Sequence, residues 1–177
     1  MAQIGIVFGS HFGRNETAGA AKHAADYIAS KTGADIINAT ELTENFIASH
    51  EKLIFVASTH KKGELQEDFQ NKLDVVKAAD FSGKTLALVG LGGTANHAET
   101  FCDGLVEFLP HIRGAKLVGA YDDGGYVYKN SLSFINGKFV GLVLDVKADA
   151  DWKARTDKWL ESIRADFGLL TKLLELF

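Results

Sequence analysis

The sequence has 177 residues, of which 46% are hydrophobic and 24% charged, and its formal net charge is −4. That length provides one well-formed core, so we predict a single domain over residues 1–177. The acidic balance argues against nucleic-acid binding, and a single cysteine excludes an internal disulfide framework and is typical of a reducing compartment. With no signal-peptide pattern and no apolar run of membrane-spanning length, we expect a cytoplasmic protein without membrane binding.

Short apolar runs alternate with segments of helical periodicity along the chain. The predicted strands are residues 4–8, 34–37, 53–56 and 86–89, and a fifth in two pieces, 116–120 and 139–144. The predicted helices are residues 17–30, 66–79, 98–112 and 152–167. Continuous apolar strands joined by helices predict a doubly wound α/β fold. It has a five-stranded parallel sheet, helices on both faces and a last strand split by an insertion.

In a sheet of this kind, ligands bind beyond the carboxyl ends of the strands, where the winding direction switches. Three predicted loops lie at that edge: residues 10–15, 58–65 and 91–97. We therefore expect the binding cleft to be formed by these three loops.

Four motifs in the same order make the sequence resemble the long-chain flavodoxins over nearly its whole length. The most specific runs from Gly125-Tyr126 to Asn136-Gly137-Lys138-Phe139-Val140-Gly141-Leu142-Val143-Leu144-Asp145, where an insertion splits the last strand. The others are Ile4-Gly5-Ile6-Val7-Phe8-Gly9-Ser10, Gly63-Glu64-Leu65-Gln66 with Asp68-Phe69, and Phe101-Cys102-Asp103-Gly104-Leu105. The resemblance implies a flavodoxin-like fold, non-covalently bound FMN and one-electron transfer between redox partner proteins.

The first loop departs from the phosphate-binding pattern of that family. The resemblance places the FMN phosphate at Ser10, His11, Phe12, Gly13, Arg14 and Asn15. Ser10 and Gly13 fit the pattern, whereas Phe12 and Asn15 replace hydroxyl-bearing residues. Arg14 adds a compensating positive charge, and the helix that follows favours an anion at its N-terminus. The alternative is an ordinary strand-to-helix turn capped by Asn15.

The second loop brings a histidine to a position where the family has a stacking aromatic ring. The resemblance places Ser58, Thr59, His60, Lys61, Lys62 and Gly63 beside the flavin. His60 stands at the stacking position. The Lys61–Lys62 peptide stands where the family's backbone flips with redox state, beside flavin N5, and a nearby glycine eases such a flip. The alternative is that both lysines form a solvated charged tip.

The third loop brings a second histidine and lacks an expected acid. The cofactor residues implied there are Leu91, Gly92, Gly93 and His97, followed by Cys102 in the first turn of a predicted helix. Gly93 and Thr94 stand at the family's acidic pair and His97 at its second stacking aromatic. Without that acid, we expect a less negative flavin potential. Cys102 is either a stabilised thiolate or a packed small residue.

Three functions remain open from the sequence. The first is an FMN electron carrier with altered loops. The second is a haem-binding protein that uses His60 and His97 as axial iron ligands, with Arg14, Lys61 and Lys62 near the propionates. The third is a cofactor-free interaction module. Because no nucleophile–base pair is evident, we expect a carrier or binder rather than a catalyst, either a monomer or a weak homodimer.

Overall fold

The computed structural model describes residues 4–9, 19–122 and 124–169. The strands, in chain order, are β1 (Ile4–Gly9), β2 (Asp35–Asn38), β3 (Lys52–His60), β4 (Glu64–Leu65), β5 (Thr85–Leu91), β6 (Lys116–Val118), β7 (Phe134–Ile135), β8 (Lys138–Phe139) and β9 (Leu142–Leu144). The helices are α1 (Ala20–Thr32), α2 (Glu44–Ala48), α3 (Glu67–Gln70), α4 (Leu73–Ala78) and α5 (Trp152–Ser162), with 3₁₀ helices at Ala39–Glu41 and Asp103–His111.

The main sheet is parallel and has the strand order β2-β1-β3-β5, followed by β6 and β9 together on the outer side of β5. β6 pairs with Thr85 to Ala87 in the first half of β5, and β9 pairs with Val89 to Leu91 in its second half. The predicted fifth strand in two pieces is thus confirmed, since both pieces run along one neighbour. The order is that of a doubly wound sheet, which confirms the predicted fold class.

The central strands β1, β3 and β5 are buried on both faces because helices cover each side of the sheet. Side chains alternate along a strand, so Ile54 and Val56 pack with α1 and α5, while Leu53 and Phe55 pack with the helices of the opposite face. On the first face, Trp159 of α5 is buried and its indole Nε1 donates to Gly119 O at 2.9 Å. This two-sided burial explains why the strands read as continuous apolar runs.

An insertion of residues 119–141 separates the two halves of the split strand. Within it β7 and β8 form an antiparallel hairpin, and Tyr128 stacks on Phe101 with ring centroids 5.4 Å apart. The predicted piece 139–144 is therefore partly wrong: Phe139 pairs with Phe134 and Tyr121, and only β9 joins the main sheet. A Cβ on Gly141 would overlap the backbone oxygen of Leu88, so the chain enters the sheet where only glycine fits.

Several helix predictions need correction. The segment 98–112 is a series of turns followed by a 3₁₀ helix, because Cys102 adopts a left-handed backbone (φ of 55°) and Pro110 lacks an N–H. The segment 66–79 breaks between α3 and α4, and α5 ends at Ser162 rather than at residue 167. Helix α1 runs to Thr32, where Gly33 provides a left-handed cap. None of the helices in the described ranges combines the length and apolarity needed to span a membrane.

Candidate functional site

The carboxyl ends of three adjacent strands define one edge of the sheet. Gly9 at the end of β1 pairs with Ala57 of β3, and Ser58 of β3 pairs with Leu91 at the end of β5. Helix α1, which follows β1, packs on one face of the sheet, and α3 and α4, which follow β3, pack on the other. This change of side is the switch point where such sheets bind ligands. The loops after β3 and β5 lie at this edge, as predicted. Ser10 to Asn15, the predicted first loop, lie outside the described residues.

The loop after β3 is a tight hairpin, residues 59–65, in which β4 folds back on β3. Thr59 pairs with Leu65 and His60 with Glu64, so only three residues make the turn. Lys61 has a φ of 49° and Gly63 a φ of 90°. A positive φ is uncommon for a residue other than glycine. The half-buried His60 therefore sits where β3 ends, next to an unusually constrained backbone.

The lysines of the hairpin are exposed and partly neutralised. Lys61 Nζ lies 3.7 Å from Glu64 Oε2, and the lysine side chain is 78% exposed. Exposed pairs of this kind contribute little to stability. The two lysines thus present charge at the tip of the hairpin, as the solvated-tip interpretation predicts, while remaining beside the candidate site.

The 3₁₀ helix Asp103–His111 supports the hairpin from within the protein. Gly104 N donates to Thr59 Oγ1 at 3.0 Å, and Leu65 N donates to Glu107 Oε2. A Cβ on Gly104 would lie 3.0 Å from Leu65 Cα, so the two backbones are in close contact. Ser58 is buried and its carbonyl accepts Gln66 N at 3.0 Å. Ser58 and Thr59, both predicted site residues, are therefore engaged in holding the hairpin.

The loop after β5 is held by a carboxylate from the neighbouring strand end. Asp145 follows β9, is buried, and its Oδ2 accepts both Thr94 N and Thr94 Oγ1 at 2.9 Å. Its Oδ1 accepts Ala148 N at 3.1 Å. Farther along, His97 N donates to Gly93 O at 3.1 Å and the imidazole of His97 is exposed. Leu91, in contrast, is buried in β5.

The hairpin and this third loop adjoin each other. A Cβ on Gly63 would lie 3.4 Å from Thr100 Cβ, and Thr100 N donates to His97 O at 3.2 Å. A Cβ on Gly93 would meet only the His97 ring, 3.5 Å from its Cδ2. The two predicted ring-stacking histidines thus belong to neighbouring loops at one edge, and Gly93 leaves space on the His97 side.

Comparison with known proteins identifies the family. The family model described as "Flavodoxin" matches residues 6–144. This chain belongs to the flavodoxin family.

The similarity to individual flavodoxins covers nearly the whole chain. The flavodoxin of Helicobacter pylori is 34% identical over 170 residues, which are 95% of this chain and 100% of that protein. Flavodoxin 1 of Azotobacter vinelandii is 33% identical over 178 residues, covering 94% and 98% of the two chains. The crystal structure of Fusobacterium nucleatum flavodoxin bound to flavin mononucleotide superposes with a TM-score of 0.84 at 28% identity, covering 94% of this chain and 99% of that one.

The surroundings of Cys102 distinguish the two interpretations of this residue, a stabilised thiolate and a packed small side chain. It precedes the 3₁₀ helix, is fully buried and packs with Phe101, Phe139 and Val143. Burial raises the pKa of its thiol well above the usual range, although a hydrogen bond from the Leu144 backbone opposes this shift. The thiol is therefore neutral at physiological pH, and the interpretation of Cys102 as a packed small residue is the correct one.

Two carboxylates that shape the site have no assigned role in the sequence-based prediction. Asp103 is 4% exposed, and its Oδ1 accepts Leu132 N from the insertion at 2.7 Å. Asp145 holds the third loop as described. Both lie in motifs that carry the family resemblance, so the sequence could have singled them out. It could not have predicted their hydrogen-bond partners, because the fold determines which backbone N–H groups lie next to each carboxylate. Within the described ranges, no three His, Cys, Asp or Glu side chains gather as a metal site.

Proposed function

We propose that this chain binds FMN non-covalently at the carboxyl edge of its sheet and carries single electrons between redox partner proteins. The observation that carries the proposal is the arrangement of the hairpin and third loop at the switch point of a flavodoxin sheet. The match to the FMN-bound Fusobacterium nucleatum flavodoxin covers 94% of this chain. FMN supplies the redox chemistry when bound.

The donor set at the edge suits a flat, heteroaromatic ligand. The imidazoles of His60 and His97 offer planar surfaces on neighbouring loops, and imidazole stacks on an aromatic ring with less contact area than tryptophan or tyrosine. Gly93 leaves open space next to the His97 ring. Turn backbones in the hairpin and third loop offer N–H and C=O groups for the polar edge of a ring. The residues present therefore fit a flavin ring.

In this proposal each loop has one task. His60 and His97 orient the ring, the hairpin backbone from Lys61 to Gly63 borders it, and Gly92 and Gly93 let it approach. Ser10, His11, Phe12, Gly13, Arg14 and Asn15 are the proposed phosphate-binding residues, as the sequence motif implies. Leu91 and Cys102 act from within the core, because both are buried.

The charge around the ring is the feature that we expect to set this protein apart. Gly93 and Thr94 bring no carboxylate side chain to the third loop, and the carboxyl groups of Asp103 and Asp145 accept backbone N–H groups within the fold. A nearby negative charge disfavours an anionic reduced ring. We therefore propose that the flavin potential is less negative than in relatives that carry the acid.

Flavodoxins transfer electrons to redox partner proteins in general. For this chain we further propose a cytoplasmic carrier that works as a monomer or weak homodimer and does not bind nucleic acid or membranes. The low net charge of −4 and the pairing of Lys61 with Glu64 in the hairpin support a partner that does not depend on one strongly charged face.

The absorption spectrum of the purified protein tests the proposed cofactor. We expect the two visible bands of a flavin after addition of FMN, and we expect His60→Ala and His97→Ala each to weaken FMN binding. His111→Ala is the matched control, because His111 ends the 3₁₀ helix before β6 begins and lies away from the loops. An intense Soret band after addition of haemin, lost in both histidine variants, would instead support haem, which the flavodoxin relationship does not favour.

A second experiment tests the phosphate position. Phe12→Thr combined with Asn15→Thr restores the hydroxyls of the family pattern, so FMN should bind more tightly to the double variant. Riboflavin, which lacks the phosphate, provides the control: its affinity should stay unchanged. Unchanged affinity for FMN would contradict a phosphate site at residues 10–15.

A further inference from the structure

Asp103 lies at the junction of three parts of the fold. It opens the 3₁₀ helix Asp103–His111, directly after Cys102, whose left-handed backbone turns the chain into that helix. On one side of Asp103 lies the hairpin, and on the other lies the insertion. Its carboxylate is buried, with the residue 4% exposed.

The carboxylate contacts both neighbours. Its Oδ1 accepts Leu132 N from the insertion at 2.7 Å. Its Oδ2 faces Gly63 of the hairpin, since a Cβ on Gly63 would lie 3.0 Å from that oxygen and 3.2 Å from Asp103 Cβ. No side chain larger than hydrogen fits at Gly63 without moving the aspartate. The Asp103 side chain is therefore hydrogen-bonded to the backbone of the insertion and packs against Gly63 of the hairpin.

The insertion is fastened to the same short stretch of chain by two flanking hydroxyls. Ser131 Oγ donates to Phe101 O, and Ser133 Oγ donates to Cys102 O at 2.5 Å. Leu132, between them, is 57% exposed although its N–H is bound inside the protein. The surface of the insertion thus connects to the interior through a backbone segment whose central N–H is bound by Asp103.

An ionised carboxylate is a costly choice for this position. Burial raises the pKa of Asp103, and the hydrogen bond from Leu132 N only partly opposes that shift. A neutral amide of the same shape would avoid the desolvation cost and still accept the Leu132 N–H. Stability alone therefore gives no reason for an aspartate, whereas a fixed negative charge beside the hairpin would affect a redox ring bound there.

We propose that Asp103 is a positioning residue that couples the insertion to the hairpin and that its negative charge sets the local electrostatic field at the candidate FMN site. Through this side chain, a displacement of the backbone at Leu132 alters the backbone at Gly63, and with it the environment of the ring. The effect on the ring rests on the proposed function, while the coupling between insertion and hairpin does not.

Hydrogen exchange of the full-length protein without added FMN tests the coupling. In Asp103→Ala we expect the amide of Leu132 to exchange about tenfold faster, because it loses a hydrogen bond to a charged group. The amides of Lys62 to Leu65 should exchange faster with it, because the hairpin loses the side chain that packs against Gly63. Glu107→Ala is the control: Glu107 accepts Leu65 N, whereas Leu132 N is bound by Asp103, so faster exchange should be confined to the hairpin. Faster exchange of Leu132 alone in Asp103→Ala would overturn the coupling.

The isosteric variant Asp103→Asn tests the field and guards against misfolding of the alanine variant. We expect its melting temperature at pH 7 to be unchanged or higher, and the FMN potential of the loaded protein to shift to a less negative value, because a negative charge near the ring is removed. A wild-type potential in a well-folded Asp103→Asn would overturn this part. Failure of the wild-type protein to bind FMN would instead count against the proposed function and leave the exchange result to decide the coupling.

Discussion

Replacing Thr94 with valine removes the hydroxyl group that donates a hydrogen bond to the buried carboxylate of Asp145, and it leaves the size of the side chain nearly unchanged. In the wild type, Thr94 Oγ1 and Thr94 N both donate to Asp145 Oδ2 at 2.9 Å. A hydrogen bond to a charged group contributes about 1.5–3 kcal/mol net. Thr94 is half-buried, so water compensates part of the loss, and we expect a decrease of about 1.5 kcal/mol in the free energy of unfolding.

Thermal and urea unfolding provide the assay. For a protein of this size, that decrease corresponds to a drop of about 3–6 °C in the melting temperature. Thr94→Ser keeps the hydroxyl and should lose less than half as much. The backbone bond from Thr94 N persists in both variants, so the fold and the m-value should stay unchanged. A melting temperature of Thr94→Val equal to that of the wild type would refute the role of Asp145 as anchor of the third loop.

Three further variants address charge, acid stability and packing. Gly93→Asp should shift the FMN potential to a more negative value in redox titration, because it adds a carboxylate beside His97; a shift in the other direction would contradict the proposed electrostatics. Burial alone would raise the pKa of Asp149, but hydrogen bonds from Tyr126 and Arg155 outweigh it and hold the pKa below its usual range. This stabilisation is present above the unfolded pKa of about 4 and is lost as pH falls through the folded pKa. Asp149→Asn should therefore lose less free energy of unfolding than the wild type when the pH is lowered through this range. Trp159→Phe leaves the Gly119 carbonyl without its indole donor and should cost about 1–3 kcal/mol in urea unfolding, where no change would be the contrary result.

The architecture could be predicted from the sequence because it depends on burial patterns that extend over many residues. Strands buried on both faces leave continuous apolar runs, and 53–56 and 86–89 both fall inside observed strands. The two halves of the fifth strand follow the same rule, although only residues 142–144 of the second half pair with β5. Short antiparallel strands such as β4 and β7, in contrast, contain too few residues to show an alternation of apolar and polar side chains.

The local failures of the prediction have a common physical cause. Residues 98–112 have apolar residues at helical spacing, yet the left-handed backbone of Cys102 and the ring of Pro110 produce turns and a 3₁₀ helix. Backbone geometry at single residues is set by tertiary contacts, here the packing of Cys102 against the insertion. The same limit applies to Asp103 and Asp145, whose backbone partners lie 29 and 51 residues away. The single-domain organisation and the phosphate-binding residues 10–15 stay predictions.

Titration of the purified apoprotein with FMN, followed by quenching of the flavin fluorescence, tests the central claim most directly. We expect saturable quenching with one FMN bound per chain and weaker binding in His60→Ala and His97→Ala. Fluorescence that stays that of free FMN throughout the titration of a well-folded protein would contradict it.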